Sequence, residues 1–325
     1  MQDNLNVSVI VLTYHPDFEK MRSTIISVLK QKGISFEIII SDDGSEEDYF
    51  KETEDFFQKH HFQNYTFVKN VENVGTVANI YGAVKKARGK YVFCTSPGDM
   101  IYDSVTLRDF FQFCEENQAK VAFGNAVYYN NDDENFQVFN GISSPHKPQV
   151  YKSHSIFYQK VSFFYGNFIL GAAFFRETRI FRKYLKKILP HIRYIEDNAT
   201  TARMLMDGVL VHYLDRKVVW YEYGAGISTG KESKWKQIID NEIITCYEHL
   251  NKDYPESRMV ESALYTRTNP MNLKNKMFRT IRFPLISAAV FYNSFMKDVD
   301  FHYDVSEERQ KFNQIRTWSD ENASD

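Results

Sequence analysis

Short apolar segments alternate with longer amphipathic segments along the first 130 residues. Residues 7–14 and 36–40 are apolar and rich in β-branched side chains, which is typical of strands covered on both faces. Between them, apolar residues from Phe18 to Leu29 fall on one helical face, and Gly33 follows as a stop. The same alternation continues in further predicted elements: strands over residues 65–68, 91–94 and 121–127, and helices over residues 75–87 and 107–114.

This alternation predicts the fold class. Strands that alternate with helices are joined by right-handed crossovers and build an α/β structure with a mostly parallel central sheet and flanking helices. In such sheets, ligands bind beyond the carboxyl ends of the strands. The segments after four predicted strands are polar, small or acidic: residues 13–16, 42–45, 70–75 and 96–99. We therefore expect the functional site at this edge of the sheet.

The pattern becomes less regular after residue 130. Residues 130–148 are polar and rich in turn formers, and we expect a loop there. A strand is predicted over residues 218–223, followed by a mobile loop over residues 224–229. Residues 235–250 have the pattern of a long amphipathic helix, whereas the polar end over residues 318–325 is expected to be disordered.

Composition argues against several classes of protein. The 40 basic and 42 acidic residues give a net charge of −2, whereas nucleic-acid-binding proteins usually carry a basic excess. The three cysteines are too scattered for a disulfide framework or a zinc site, which favours a reducing compartment. The polar N-terminus leads directly into a strand, and no apolar run reaches about 18 residues. We therefore predict a cytoplasmic protein with neither a signal peptide nor a transmembrane helix.

The residues after the first predicted strand disfavour one class of nucleotide-binding enzyme. A dinucleotide-dependent oxidoreductase would carry Gly-x-Gly-x-x-Gly at this position. The chain has Thr13, Tyr14, His15 and Pro16 there instead. A tyrosine ring at the end of a strand can stack on a base, although aromatic residues in such positions often only pack against their neighbours.

Two acidic turns follow predicted strands. Asp42 and Asp43 either cap a turn or offer a carboxylate to a ligand N–H group, such as the imide of a nucleobase. Asp99 ends a turn that begins at Ser96. That carboxylate is either part of ordinary turn chemistry or holds a hard divalent cation, which in turn binds a diphosphate.

A further acidic pair, Glu196 and Asp197, begins a helical pattern. The helix dipole alone favours carboxylates at this end of a helix. Alternatively, one of the two acts as a general base, a role worth roughly 10²–10⁴ in rate. The pair alone leaves a structural and a catalytic interpretation open.

Taken together, five segments resemble the family 2 nucleotide-sugar glycosyltransferases of GT-A fold: VSVIVLTYH, EIIISDDGS, NVGTVANIYGAVKKARGKYV, SPGDMI and EDNATTAR. The resemblance covers residues 6 to about 110 and about 165 to 230. It implies an inverting enzyme of the bacterial surface-polysaccharide type. Such enzymes move a sugar from a nucleotide diphosphate donor to a hydroxyl group of an acceptor, usually with Mn²⁺ or Mg²⁺.

The resemblance also assigns roles to individual residues. It implies a set of donor-binding residues: Thr13, Tyr14, Asp43, Asn73, Gly75, Ser96 and Arg203. It implies that Asp99 is the metal ligand and that Asp197 is the catalytic base. The chain departs from the family at the metal motif, where Ser96 and Gly98 stand in place of acids that are common there.

The implied organisation has two parts. A GT-A catalytic domain would cover residues 1–230, with a nucleotide-binding half to about residue 130 and an acceptor half from residue 131. A helical extension would cover residues 231–325. Within it, residues 273–292 mix basic and apolar side chains. We expect them either to form a helix packed on the catalytic domain or to contact anionic lipid at the inner face of the cell membrane.

Two hypotheses about function follow. The favoured one is transfer from a UDP-sugar to a glycan or lipid-linked oligosaccharide acceptor in cell-surface or capsular polysaccharide synthesis. A single carboxylate facing the base suits the imide of uracil, and dTDP would present the same edge. The other hypothesis is a catalytically inactive sugar-nucleotide-binding or scaffold protein of the same fold, which the reduced acid content of the metal motif suggests.

Overall fold

The computed structural model describes residues 5–132, 135–224 and 233–318. The strands found within these residues form one sheet: β1 (Val7–Thr13), β2 (Phe36–Asp42), β3 (Tyr65–Lys69), β4 (Tyr91–Thr95), β5 (Met100–Ile101), β6 (Val121–Asp132), β7 (Asn135–Val138), β8 (Phe174–Glu177) and β9 (His212–Glu222).

The helices of the described residues begin with four that lie among the first strands: α1 (Phe18–Leu29), α2 (Phe50–Lys59), α3 (Thr76–Val84) and α4 (Thr106–Glu116). Three more precede β9: α5 (Ile156–Phe164), α6 (Thr178–Ile188) and α7 (Glu196–Met206). The rest follow it: α8 (Ser233–Asp253), α9 (Arg258–Thr268), α10 (Leu273–Arg282), α11 (Pro284–Ser294) and α12 (Val305–Arg316).

The sheet has the strand order β3-β2-β1-β4-β8-β6-β9-β5, and β7 pairs with β6. β1 pairs in parallel with β2 and β4, and β2 pairs in parallel with β3. β6 also pairs in parallel with β9, and these four parallel pairs contain most of the paired residues, which confirms the predicted α/β class with flanking helices. Because Thr13 lies opposite Asp42, and Asp42 opposite Lys69, the carboxyl ends of these strands meet at one edge.

Helices cover both faces of the sheet. In β1, Val7, Val9 and Val11 face one core, whereas Ile10 faces the other, as the alternation of side chains along a strand requires. All four side chains are buried. The apolar runs predicted as strands therefore lack polar alternation because both of their faces are covered.

One strand that the sequence does not reveal lies at the centre of the sheet. β8 lies between β4 and β6 and is antiparallel to both. Its residues Phe174, Phe175 and Arg176 are buried. Four residues are too few for a recognisable alternation, and we predicted no strand there.

The predicted loop over residues 130–148 is wrong in its first part. β6 continues to Asp132 and forms an antiparallel pair with β7, in which Tyr129 lies opposite Val138. Residues 225–229 of the predicted mobile loop lie outside the described residues. Residues 319–325 of the predicted disordered tail also lie outside them.

The helices after residue 233 pack on the rest of the chain. Tyr247 and Leu250 of α8 are buried in the same core as Ile10 of β1. In α12, the ring of Phe312 lies against Trp220 of β9, with ring centroids 5.4 Å apart. Residues on both sides of residue 230 thus share cores, and the division into domains at that point stays a prediction.

Candidate active site

A cleft of about 740 Å³ opens at the carboxyl edge of the parallel strands. This volume lies in the range of pockets that bind small molecules. Six of the predicted site residues line the cleft: Thr13, Tyr14, Asp43, Ser96, Asp99 and Asp197. Segments that are far apart in the sequence thus converge on one cavity. Asn73, Gly75 and Arg203 are not among its lining residues.

The end of β1 places a tyrosine ring at the cleft. The buried Thr13 donates its hydroxyl proton to Asp42 Oδ2 at 2.9 Å, and its carbonyl accepts from the Asp43 amide at 2.9 Å. The next residue, Tyr14, is 53% exposed and lines the cavity. Thr13 therefore fixes the position of the neighbouring acidic turn, whereas the Tyr14 ring, with its centroid 4.3 Å from that of His15, is half exposed at the cleft.

The two adjacent aspartates have different surroundings. Asp42 is fully buried, and its carboxylate accepts hydrogen bonds from the amides of Gly44 and Ser45 and from the hydroxyl of Ser45. With the hydroxyl of Thr13 as a fourth donor, both oxygens of Asp42 are fully used within the turn. Asp42 therefore has a structural role, in which its carboxylate stabilises the turn that follows β2.

Asp43 is buried and lines the cleft. Its Oδ1 accepts from the Asn70 amide group at 3.1 Å and from the Val74 backbone amide at 2.9 Å, and its Oδ2 accepts from the Gly75 amide at 2.9 Å. A carboxylate offers about four acceptor positions. One position on Oδ2 therefore remains for a ligand donor.

Asn73 and Gly75 shape the loop that holds Asp43. The Arg193 Nη2 atom donates to the backbone and side-chain oxygens of Asn73, both at 2.9 Å. Gly75 has a φ of +88°, and a Cβ atom there would lie 2.3 Å from the Arg193 side chain. The structure thus places both residues behind the cleft wall, where only glycine fits at position 75.

The turn between Ser96 and Asp99 is closed by a hydrogen bond from the Asp99 amide to the Ser96 carbonyl at 2.9 Å. Gly98 within it has a φ of +97°. The Asp99 side chain is 8% exposed, and its Oδ1 accepts from the Glu222 amide at 3.0 Å. Burial raises the pKa of Asp99 to about 8, and the nearby charge of Glu222 acts in the same direction.

Glu222 is a residue of this cleft that the sequence analysis missed. It ends β9, lines the cavity and forms an ion pair with Lys20 at 2.5 Å through Oε1. Its buried Oε2 has no hydrogen-bond partner within the described residues. The only signal in the sequence was an acid at the end of a predicted strand.

Asp99 and Glu222 offer a divalent cation carboxylate oxygens, the donors that Mg²⁺ and Mn²⁺ prefer. The unpartnered Oε2 of Glu222 fits such a cation. Among the described residues, no group of three or more histidine, cysteine or acidic side chains surrounds a common point. A metal ion here would therefore need further oxygens from a ligand or from water.

Helix α7 begins at the cleft with Glu196 and Asp197, which both line it. Glu196 is buried with Arg176, whose Nη1 lies 3.5 Å from Oε2, and burial raises the pKa of Glu196 to about 7 against the opposing charge of Arg176. Asp197 lines the cleft, and its Oδ1 accepts from the Asn198 amide at 2.7 Å. Burial also raises the pKa of Asp197, which makes its carboxylate a stronger base.

Arg203 lies away from this cleft. Its buried guanidinium donates to Asp253, and its Nη2 lies 3.5 Å from His191 in a separate cavity of about 480 Å³. Arg203 lies six residues after Asp197 on α7. Six residues correspond to one full turn and about 240° more, so the two side chains point in different directions. The structure does not bring Arg203 to the predicted donor site.

Comparison with known proteins places the chain among sugar-transferring enzymes. A family model described as "Glycosyl transferase family 2" matches residues 8–192. No curated protein matches the chain in sequence.

Solved structures are similar over most of the chain. The TarS 1-349 protein of S. aureus in complex with UDP has a TM-score of 0.55 and 16% identity, covering 96% of this chain and 89% of that one. The mannosyltransferase PcManGT from Pyrobaculum calidifontis, in complex with GDP-Man and Mn²⁺, has a TM-score of 0.56 and 12% identity, covering 97% and 81%. The chain spans 54% of the longer S. aureus TarS structure, with a TM-score of 0.51 and 16% identity over 89% of this chain. At these identities the similarity shows the fold.

Proposed function

The chain belongs to glycosyl transferase family 2 and has the GT-A fold, and on this premise we propose that it transfers a sugar from a UDP-sugar to an acceptor hydroxyl group with inversion of configuration. The observation that carries the proposal is the single cleft that brings Tyr14, Asp43, Asp99 and Asp197 together. Turnover of a UDP-sugar by the purified protein tests it.

The choice of UDP rests on the end of β2. The one acceptor position left on Asp43 Oδ2 suits the N3–H group of uracil, and the exposed ring of Tyr14 suits stacking on the base. Cytosine has an acceptor instead of a donor at N3. The cleft therefore favours uracil over cytosine.

With CDP, the Asp43 carboxylate would face the acceptor N3 of cytosine and stay unpaired. We therefore expect UDP to bind at least about tenfold more tightly than CDP. In an Asp43→Asn variant this preference should be largely lost, because an amide can present either a donor or an acceptor. Titration calorimetry with UDP and CDP measures both affinities. Asp55→Asn, an exposed change on α2, is the matched control. Equal affinity of the unmodified protein for the two nucleotides would contradict the assignment.

The proposed reaction is a direct displacement at the anomeric carbon. The bond from the acceptor oxygen to this carbon forms while the bond to the diphosphate oxygen breaks, and UDP leaves with the bonding electron pair. Asp197 takes the proton of the acceptor hydroxyl, for which its raised pKa suits it. Attack from the face opposite the leaving group inverts the configuration.

We propose that a divalent cation, Mn²⁺ or Mg²⁺, is bound at Asp99. When bound, such an ion offsets the negative charge that grows on the departing diphosphate. A second candidate function, a non-catalytic sugar-nucleotide-binding protein, is favoured by Ser96 and Gly98 in place of acids. Turnover of the donor separates the two candidates.

The proposed acceptor is a lipid-linked glycan of cell-surface or capsular polysaccharide synthesis, bound at the cytoplasmic face of the membrane. Support comes from α10 and α11, which present large apolar side chains to solvent: Leu273, Met277, Phe278, Ile281, Leu285, Phe291 and Tyr292. No residue of α10 is buried. Among the described residues, no helix has the length and apolar character needed to cross a bilayer.

The basic side chains of this surface differ in their surroundings: the arginines contact other residues of the protein, whereas the lysines face solvent. Arg282 forms an ion pair with Glu261, and the guanidinium of Arg279 lies 5.4 Å from the centre of the Tyr165 ring. Lys274 and Lys276 are exposed and form no ion pair within the described part of the chain. Each lysine near an anionic surface contributes about 1 kcal/mol to membrane binding. The lysines and the exposed apolar side chains together suit the interface of an anionic bilayer.

A double variant, Ile281→Ser with Leu285→Ser, should reduce binding to phosphatidylglycerol vesicles about tenfold or more. Both side chains are about four-fifths exposed, so their burial in lipid is lost without a change in the protein core. Co-sedimentation with vesicles measures the binding, and Val305→Ser on α12 is the control. Absence of the unmodified protein from the vesicle pellet would end the case for membrane contact.

A further inference from the structure

The metal motif, residues 96–99, supplies too few oxygen ligands to complete the coordination shell of a divalent cation. Asp99 is the one acid between residues 96 and 99. Divalent cations of the Mg²⁺ class take about six oxygen ligands and keep several waters. One carboxylate and a diphosphate would leave most of the coordination shell to water.

The sheet brings a second carboxylate to the same place. β5 and β9 are antiparallel, with Met100 opposite Trp220. Continuing this register by two residues places Glu222 beside Gly98, next to Asp99. The observed hydrogen bond from the Glu222 amide to Asp99 Oδ1, at 3.0 Å, agrees with this placement.

The Glu222 side chain is directed at the turn and is incompletely bonded. Oε2 is buried without a hydrogen-bond partner in the part of the chain that the structure describes. A Cβ atom at Gly98 would lie 2.3 Å from this oxygen, so the carboxylate occupies space that only glycine leaves open. A buried polar oxygen without a partner is costly, and a bound cation is one of the groups that can satisfy it.

We propose that Glu222 is the second carboxylate of the metal–diphosphate site and takes the place of the acid missing at Gly98. This inference rests on the proposed function, because the remaining ligands would be diphosphate oxygens of the donor. In the part of the chain that the structure describes, the buried Asp99 carboxylate accepts one hydrogen bond, from the Glu222 amide to Oδ1, so it has a further oxygen to offer to the cation.

When no metal ion is bound, Lys20 holds the Glu222 carboxylate in place. Its Nζ pairs with Glu222 Oε1 at 2.5 Å, and the Lys20 side chain is 46% exposed. Because the Lys20 side chain is partly exposed, it can leave Glu222 for a diphosphate oxygen when a divalent cation takes its place.

The test compares UDP affinity with and without Mn²⁺ in Glu222→Gln. In the unmodified protein, we expect Mn²⁺ to tighten UDP binding about tenfold or more over the affinity in EDTA. Glu222→Gln should lose most of this increase, measured against its own affinity in EDTA, since loss of even an indirect partner of a metal site costs about 10–100-fold. Glu115→Gln, an exposed change on α4, is the matched control.

Electron paramagnetic resonance of Mn²⁺ gives a readout that does not depend on turnover. Addition of UDP and protein should reduce the signal of free aqueous Mn²⁺, and Glu222→Gln should reduce this effect. Glu222→Asp, which keeps the charge on a shorter stem, should have an intermediate effect, and thermal melting in EDTA checks that both variants fold.

Two outcomes overturn the inference. One is UDP binding that is equally strengthened by Mn²⁺ in Glu222→Gln and in the unmodified protein. The other is UDP binding that Mn²⁺ does not strengthen at all, which would leave Lys20 as the cation of the site. Failure of the proposed function is a distinct result, because the unmodified protein would then either bind UDP under neither condition or bind it without turning over a UDP-sugar.

Discussion

Asp197→Asn is expected to reduce sugar transfer at least about 10²–10⁴-fold and to leave UDP affinity unchanged. The amide keeps the size of the side chain and can keep the hydrogen bond from Asn198, but it cannot accept a proton from the acceptor. Initial rates with a UDP-sugar and calorimetric UDP affinity measure the two effects. Asp55→Asn is again the control.

Two further measurements sharpen this result. Because protonation inactivates a base, activity should fall as the pH is lowered through the raised pKa of Asp197. The anomeric configuration of the first product, followed by nuclear magnetic resonance, should be opposite to that of the donor. Full turnover by the variant, or retention of configuration, would remove Asp197 from its proposed role.

Arg176→Met is expected to lower the free energy of unfolding by about 3 kcal/mol at pH 8, because it leaves Glu196 buried without its partner. The guanidinium of Arg176 also lies 4.0 Å from the ring centre of Phe174, a contact that Met replaces in part. Urea unfolding measures the loss. The double variant Arg176→Met with Glu196→Gln is the control and should recover most of it.

The pH dependence of this loss has a definite sign. The pKa of Glu196 is raised to about 7 in the folded protein, so the folded state binds the proton more tightly and stability decreases as the pH rises from about 4.5 to 7. Without the charge of Arg176, the effect of burial on Glu196 is unopposed, and the pKa of Glu196 rises further. The decrease in stability then extends to higher pH. The deficit of the variant should therefore be larger at pH 8 than at pH 6. A deficit that does not change with pH would show that lost packing, and not charge, is the cause.

The first four long strands were predictable because hydrophobic pattern and local chemistry agree there. β1 and β2 are covered on both faces, and an apolar run that ends in a polar turn marks such strands. The predicted convergence of Tyr14, Asp43 and Asp99 follows from the general rule for ligands at the carboxyl edge, whereas Asp197 was implied by the family resemblance, and the cleft contains all four.

Features that depend on pairing between distant segments were not predictable from the sequence. β8 has four residues and is held by β4 and β6 on either side. Glu222 reaches Asp99 through the antiparallel register of β5 and β9, and β5 is only two residues long. Arg203 was assigned from the family resemblance, whereas the turn of α7 directs it to Asp253.

Helix α12 packs against the residues after β5, which follows Asp99, and against β9, which ends at Glu222. Glu308 accepts a hydrogen bond from the Tyr102 hydroxyl and pairs with Lys217, while Phe312 lies against Trp220. Removing α12 would remove these contacts and expose Trp220, which is fully buried. Any truncated version meant for nucleotide-binding work should therefore retain residues through Arg316.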